Sequence, residues 1–142
     1  TIDRAAVAKI VFAAPPDGPH ELAFLEGISH PRITARLKER IARAGEHSPP
    51  PLAMVLDAAL MFRAGWRNYC DWLLFVEASL ETRRARALER GWTKEEFARR
   101  EAAQEPVEWK RRQADIIIEN EADPAFTFAQ VRAFWISLGL PA

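Results

Sequence analysis

Apolar positions along the chain follow two different periods, and the switch between them outlines the fold. From Pro31 onward Ile33, Leu37, Ile41 and Ala44 recur at helical spacing while Arg36, Arg40 and Arg43 fall on another face, which predicts an amphipathic helix opening at that proline. Asp3 is placed to cap an earlier helix with a narrow stripe of Val7, Ile10 and Val11, ended by the AAPP at Ala13 to Pro16. Three short runs are of another kind: AMVL at Ala53 to Leu56, WLLFV at Trp72 to Val76 and III at Ile116 to Ile118. Each is continuous rather than alternating, as strands buried on both faces read. Helical patterns separate the second from the third, so an α/β fold with all three strands parallel in one sheet is expected. Asp57, Glu77 and Asn120 stand at or just past the carboxyl ends of these runs, the edge where open α/β sheets hold ligands, although polar residues also simply end strands as they reach solvent.

Punctuation residues divide what lies between. A helix from Leu80 to Arg90 is expected to stop at Gly91, a suitable left-handed C′ position. Thr93 with Glu96 makes a capping box for a helix through Phe97 to Gln104, and Pro106 can open a short helix through Trp109. Asp123 and Pro124 start a final helix whose Phe128, Val131, Trp135 and Leu138 share a face suited to core packing. Gly45 and the SPPP at Ser48 to Pro51 form an internal loop too short for a domain linker.

Composition narrows the class. At 142 residues and 49% hydrophobic content one domain with one core is expected, and the longest apolar runs fall far short of the ~20 residues that a membrane-spanning helix needs. A single cysteine, Cys70, excludes an internal disulfide and fits a reducing cytoplasm. Net charge is zero, which argues against wrapping duplex nucleic acid. Yet ten basic residues face six acidic ones between Arg83 and Arg112. That local excess suits a small polyphosphate ligand.

Arg83, Arg86 and Arg90 are spaced three and four apart and so share one side of a helix. Arginine forks match phosphate oxygens, and a transferring phosphoryl group needs several such donors, although a solvated arginine face gives the same spacing. Arg99 and Arg100 sit on the next helix, beyond the Gly91 turn. His30, directly before Pro31, is expected at a loop-to-helix junction, where it can cap the helix or meet a ligand. Three scattered histidines and one cysteine do not make a zinc site, and no serine lies in a GxSxG setting. None of the six glycines is followed by lysine, so the GxxxxGK[ST] phosphate loop is absent from these residues.

Six pieces in order carry a resemblance: IDRAAVAKIVFA, SHP at Ser29 to Pro31, LDAALMF at Leu56 to Phe62, CDWLLFVEASLETRRARALER, AAQ and ADIIIEN. Together they resemble the dephospho-CoA kinases, which are similar in fold to nucleoside-monophosphate kinases. The resemblance implies a partial P-loop kinase fold, a parallel sheet flanked by helices with a helical lid and a substrate-binding segment. It would be laid out as one domain: a helical substrate-binding segment at 1–50, core strands at 51–80, an arginine-rich lid at 81–112, and the last strand and helix at 113–142. It further implies ATP with magnesium as phosphoryl donor and the ribose 3′-hydroxyl of dephospho-CoA as acceptor, with no nucleic-acid or membrane partner. Carried over position by position, His30 and Asp57 would belong to the dephospho-CoA side, Arg86 and Arg90 would flank the lid as catalytic arginines, and Gln104 and Asn120 would lie near ATP. Where the family usually shows a PLLFE-like string this chain has AALMF followed by Arg63, and the usual arginine-aspartate pair at the lid reads Arg90-Gly91. The family's phosphate loop and catalytic aspartate would precede Thr1, so the chain is expected to be inactive alone. A non-catalytic CoA-precursor-binding or regulatory protein, or another small-molecule kinase of this fold, remains an alternative reading.

Overall fold

The computed structural model describes residues 2–141 of the chain, which divides into two compact units, Thr1–Asn68 and Tyr69–Ala142. In the first, helix α1 (Arg4–Val11) is capped by Asp3, whose carboxylate accepts from the backbone N–H groups of Ala5 and Ala6. It packs on helix α2 (Asp17–Gly45), which runs straight through Pro31. Proline inside a helix forfeits one backbone hydrogen bond and strains the preceding turn, which is why the sequence pattern places a helix start there. Contacts from α2 to the turns that follow offset that cost. Glu26, His30 and Thr34, each four residues apart, form one stripe on it. Glu26 pairs with Arg63 at 3.0 Å, the His30 ring meets Trp66 edge-on with centroids 6.0 Å apart, and Thr34 Oγ1 accepts from Trp66 Nε1 at 2.9 Å. His30 is therefore mid-helix and not at a junction, and Trp66, in a short 3-10 helix at Trp66–Tyr69, is among the most buried residues of this unit at 5% exposure.

Gly18 shows how closely α2 begins against the end of α1. A Cβ there would lie 2.0 Å from the Ala13 carbonyl oxygen, a backbone atom that cannot swing away. Gly18→Ala should therefore destabilise by roughly 1–3 kcal/mol, the usual range for overpacking, read as a lowered thermal midpoint. An unchanged midpoint would mean that this approach is not held in solution.

The run at Ala53 to Leu56, expected as a third buried strand, has no regular structure. Val55 is 90% exposed, and among the described residues no strand pairs with it. An apolar run of strand composition becomes a strand only when a neighbour takes its backbone N–H and C=O groups.

The second unit carries the sheet. Strands β1 (Leu74–Glu77) and β2 (Ile116–Glu119) run parallel in the register Leu74 to Ile116 through Glu77 to Glu119. The crossover between them contains α3 (Leu80–Glu89), α4 (Lys94–Ala102) and α5 (Val107–Gln113). Thr93 and Glu96 form the expected capping box on α4, and Gly91 holds φ 85°, the left-handed conformation that lets the chain reverse after α3. α5 packs on β1, and α6 (Pro124–Ser137) packs on β2. The core centres on Ile118, 1% exposed, with Leu73, Ala87 and Phe97 also buried. α6 departs from its expected role, since none of its residues is fully buried and Phe128 is 67% exposed. It holds the edge of β2 by polar means instead. The Gln130 amide accepts from the Glu119 backbone N–H at 3.0 Å and donates to the Glu119 carbonyl at 2.9 Å, standing in for a further strand.

Candidate active site at the carboxyl end of the sheet

The parallel register brings the carboxyl ends of β1 and β2 level, and the first turn of α3 rises directly from β1. An open groove of about 590 Å³ lies there, lined by residues that include Glu77, Ser79, Arg83, Glu119 and Glu121. Its charged groups are largely tied to neighbours. Glu77 Oε1 accepts from Arg111 Nε at 2.9 Å, which fastens α5 to the end of β1. Arg83 donates to the Ala78 carbonyl at 2.5 Å and forms an ion pair with Glu101 of α4, and its Nε is buried without a partner among the described residues. A guanidinium held in that way is a structural tie between α3 and α4.

Arg86, one turn further along α3, is placed differently. One of its terminal nitrogens donates to the Asn120 carbonyl at 2.9 Å, where the chain leaves β2. The remaining guanidinium nitrogens have no partner among the described residues and keep donors for an anion at the sheet edge. The Asn120 side chain accepts from Thr127 Oγ1 at 3.3 Å. Of the residues singled out from the sequence, Arg86 and Asn120 are thus in direct contact.

The other candidates of the second unit make different contacts. Arg90 caps the end of α3, exposed, and Arg84 is exposed as well. Gln104 follows α4 and accepts from Lys110 Nζ at 2.9 Å. Arg100 lies over the Trp92 ring at 4.2 Å. In the first unit, Asp57 is exposed in the irregular segment, and His30 has its Nε2 buried without a hydrogen-bond partner among the described residues. Arg63, where the sequence pattern suggests a missing acid, is answered by Glu26 of α2.

Glu121 was not legible as a site residue. Its carboxylate accepts from the Ser79 backbone N–H and from Thr82 Oγ1, the latter at 2.6 Å, across a separation of about forty residues. The Thr82 hydroxyl, then the Ser79 amide, hold its pKa below the usual glutamate value, with Arg86 adding a smaller favourable field. Its only signal in the sequence is an acid directly after a strand-end asparagine, and the partners come from the other strand's exit. Among the described residues no group of three or more His, Cys, Asp or Glu is placed to hold a metal ion.

A small parallel sheet flanked by helices, with an arginine-bearing helix rising at its carboxyl edge, defines an α/β protein. Comparisons with known proteins give the family. The model described as CoaE: Dephospho-CoA kinase matches residues 1–125. A dephospho-CoA kinase of Symbiobacterium thermophilum is 37% identical over 138 residues, covering 95% of this chain and 54% of the relative. One from Deinococcus radiodurans is 40% identical over 124 residues, covering 84% of this chain and 56% of the relative. A crystal structure from Thermus thermophilus superposes with a TM-score of 0.76 at 31% identity, covering 99% of this chain and 68% of that one. The chain belongs to the dephospho-CoA kinase family, and it spans about half the length of these two curated relatives.

Proposed function

We propose that residues 1–142 contribute the acceptor-binding and lid portions of an enzyme that transfers the γ-phosphoryl group of ATP to the ribose 3′-hydroxyl of dephospho-CoA. The observation that carries this reading is Arg86, fixed at the carboxyl end of β2 by its bond to Asn120 with donors to spare, in a chain of this family. Phosphoryl transfer asks little covalent chemistry of a protein and much positioning and charge stabilisation. Arg86 would meet the transferring phosphate, with Arg90 reaching the same ligand from the end of α3. Asn120 and Gln104 are assigned to the ATP side, and His30 and Asp57 to dephospho-CoA. Magnesium would travel with ATP.

No GxxxxGK[ST] phosphate loop occurs among these residues, since no glycine among them precedes a lysine. That same absence favours a second reading, a protein that binds CoA precursors without turnover. Dephospho-CoA-dependent ADP release by the full-length protein separates the two: release with 3′-phosphorylated product supports the kinase, and binding without release supports the binder.

A further inference from the structure

Helix α3 has half a capping box of its own. Ser79, its N-cap, accepts from the Thr82 backbone N–H at 3.1 Å. In a complete box the side chain three residues on, usually Glu or Gln, returns the favour by accepting from the N-cap N–H. Here that residue is Thr82, whose hydroxyl is given to Glu121 instead. The Ser79 N–H finds its acceptor in Glu121 too, and Ser79 Oγ lies 3.4 Å from the same carboxylate. The missing half of the box is thus supplied from across the sheet by the residue after Asn120, and a negative group so placed also matches the positive end of the helix.

One turn along, Arg86 bonds the Asn120 carbonyl. The first two turns of α3 are therefore pinned to two consecutive residues at the exit of β2, Glu121 holding the first and Asn120 the second. Without the Glu121 tie, α3 would be held there by the Arg86 bond itself, and a guanidinium needed to orient its own helix is less available to a ligand.

We infer that Glu121 is a positioning residue that completes the α3 cap from β2 and so sets Arg86 at the sheet edge. The role rests on the kinase reading given above; the cap itself does not. Because Glu121 is exposed, other contacts can keep the unit folded when it is replaced.

The test uses the full-length protein with Glu121→Ala and Glu121→Gln. The Ser79 N–H and the Thr82 hydroxyl donate to different oxygens of the carboxylate; an uncharged amide can give its oxygen to the Ser79 N–H and donate its NH2 to the Thr82 hydroxyl, so Glu121→Gln should keep most of the turnover, while Glu121→Ala should lower kcat about tenfold, in line with loss of a cap and its alignment. KM for dephospho-CoA should stay unchanged. Combined with Arg86→Ala, the alanine change should add little further loss, because both act through one guanidinium. Independently of activity, amide exchange at Ser79 should accelerate in Glu121→Ala. Unchanged exchange there would overturn the cap and the proposal with it. Faster exchange with full turnover, while Arg86→Ala remains impaired, would overturn the positioning role and leave the kinase reading standing. No turnover in the unsubstituted protein would overturn both the kinase reading and the positioning role, with the cap still judged by exchange.

Discussion

Arg86→Ala should lower turnover of the full-length protein by roughly 100-fold or more, the usual scale for removing one preorganised charged donor from a developing transition state. Three arginines of one helix are used differently. Arg83 is already committed to Ala78 and Glu101, Arg84 is exposed, and Arg86 is tethered through one nitrogen with others open. Arg84→Ala should therefore leave turnover within about twofold, as surface changes away from such features usually do. Arg83→Ala should act on stability, since it frees Glu101 and removes the tie between α3 and α4. Steady-state kinetics beside a urea midpoint separates these outcomes. Equal losses from Arg84 and Arg86 would reduce the helix to a solvated face.

The largest effect on stability should come from Ile118→Ala. Ile118 is 1% exposed, lies at the centre of β2 opposite Val76 and belongs to the small core of the second unit. Truncating a buried isoleucine to alanine costs about 2–5 kcal/mol, depending on how far the surroundings collapse into the space. A domain of ordinary stability has only about 5–15 kcal/mol to lose. The urea midpoint should fall sharply with little change in slope, whereas a midpoint shift of less than a tenth of a molar would show that β2 is not part of the cooperative core.

What could be read from the sequence was mainly what is local. The Asp3, Thr93 and Asp123 caps, the Gly91 stop and the continuous apolar runs at Trp72–Val76 and Ile116–Ile118 all depend on residues within a few positions of each other, and the structure has the caps and the stop and places strands at Leu74–Glu77 and Ile116–Glu119. Features that depend on distant partners were misread or missed. Pro31 signals a helix start, yet the stripe of Glu26, His30 and Thr34 against Arg63 and Trp66 carries α2 through it. The AMVL run reads as a strand, but strand formation belongs to a pair of segments. α6 is apolar enough to suggest burial, yet none of its residues is fully buried, and its hydrogen bonds to β2 come from Thr127 and Gln130.

The candidate site divides in the same way. The shared face of Arg83, Arg86 and Arg90 follows from spacing; which of them is left with donors follows from Glu101 and Asn120, 18 and 34 residues away from their partners. Glu121 has no local signature as the missing half of a cap, because its partners lie across the sheet. Sequence periodicity identified the helix, and tertiary contacts distinguished its arginines.

We propose that these residues form the acceptor and lid portions of a kinase, with the phosphate loop supplied from outside them. A coupled assay of ADP release, with ATP, magnesium and dephospho-CoA, tests it most directly on two forms: residues 1–142 alone, and the same residues joined to the phosphate-loop segment of a dephospho-CoA kinase relative. No release above background from the first and dephospho-CoA-dependent release from the second is the expected result. Turnover by residues 1–142 alone would contradict the claim, and so would a joined protein that binds dephospho-CoA without releasing ADP.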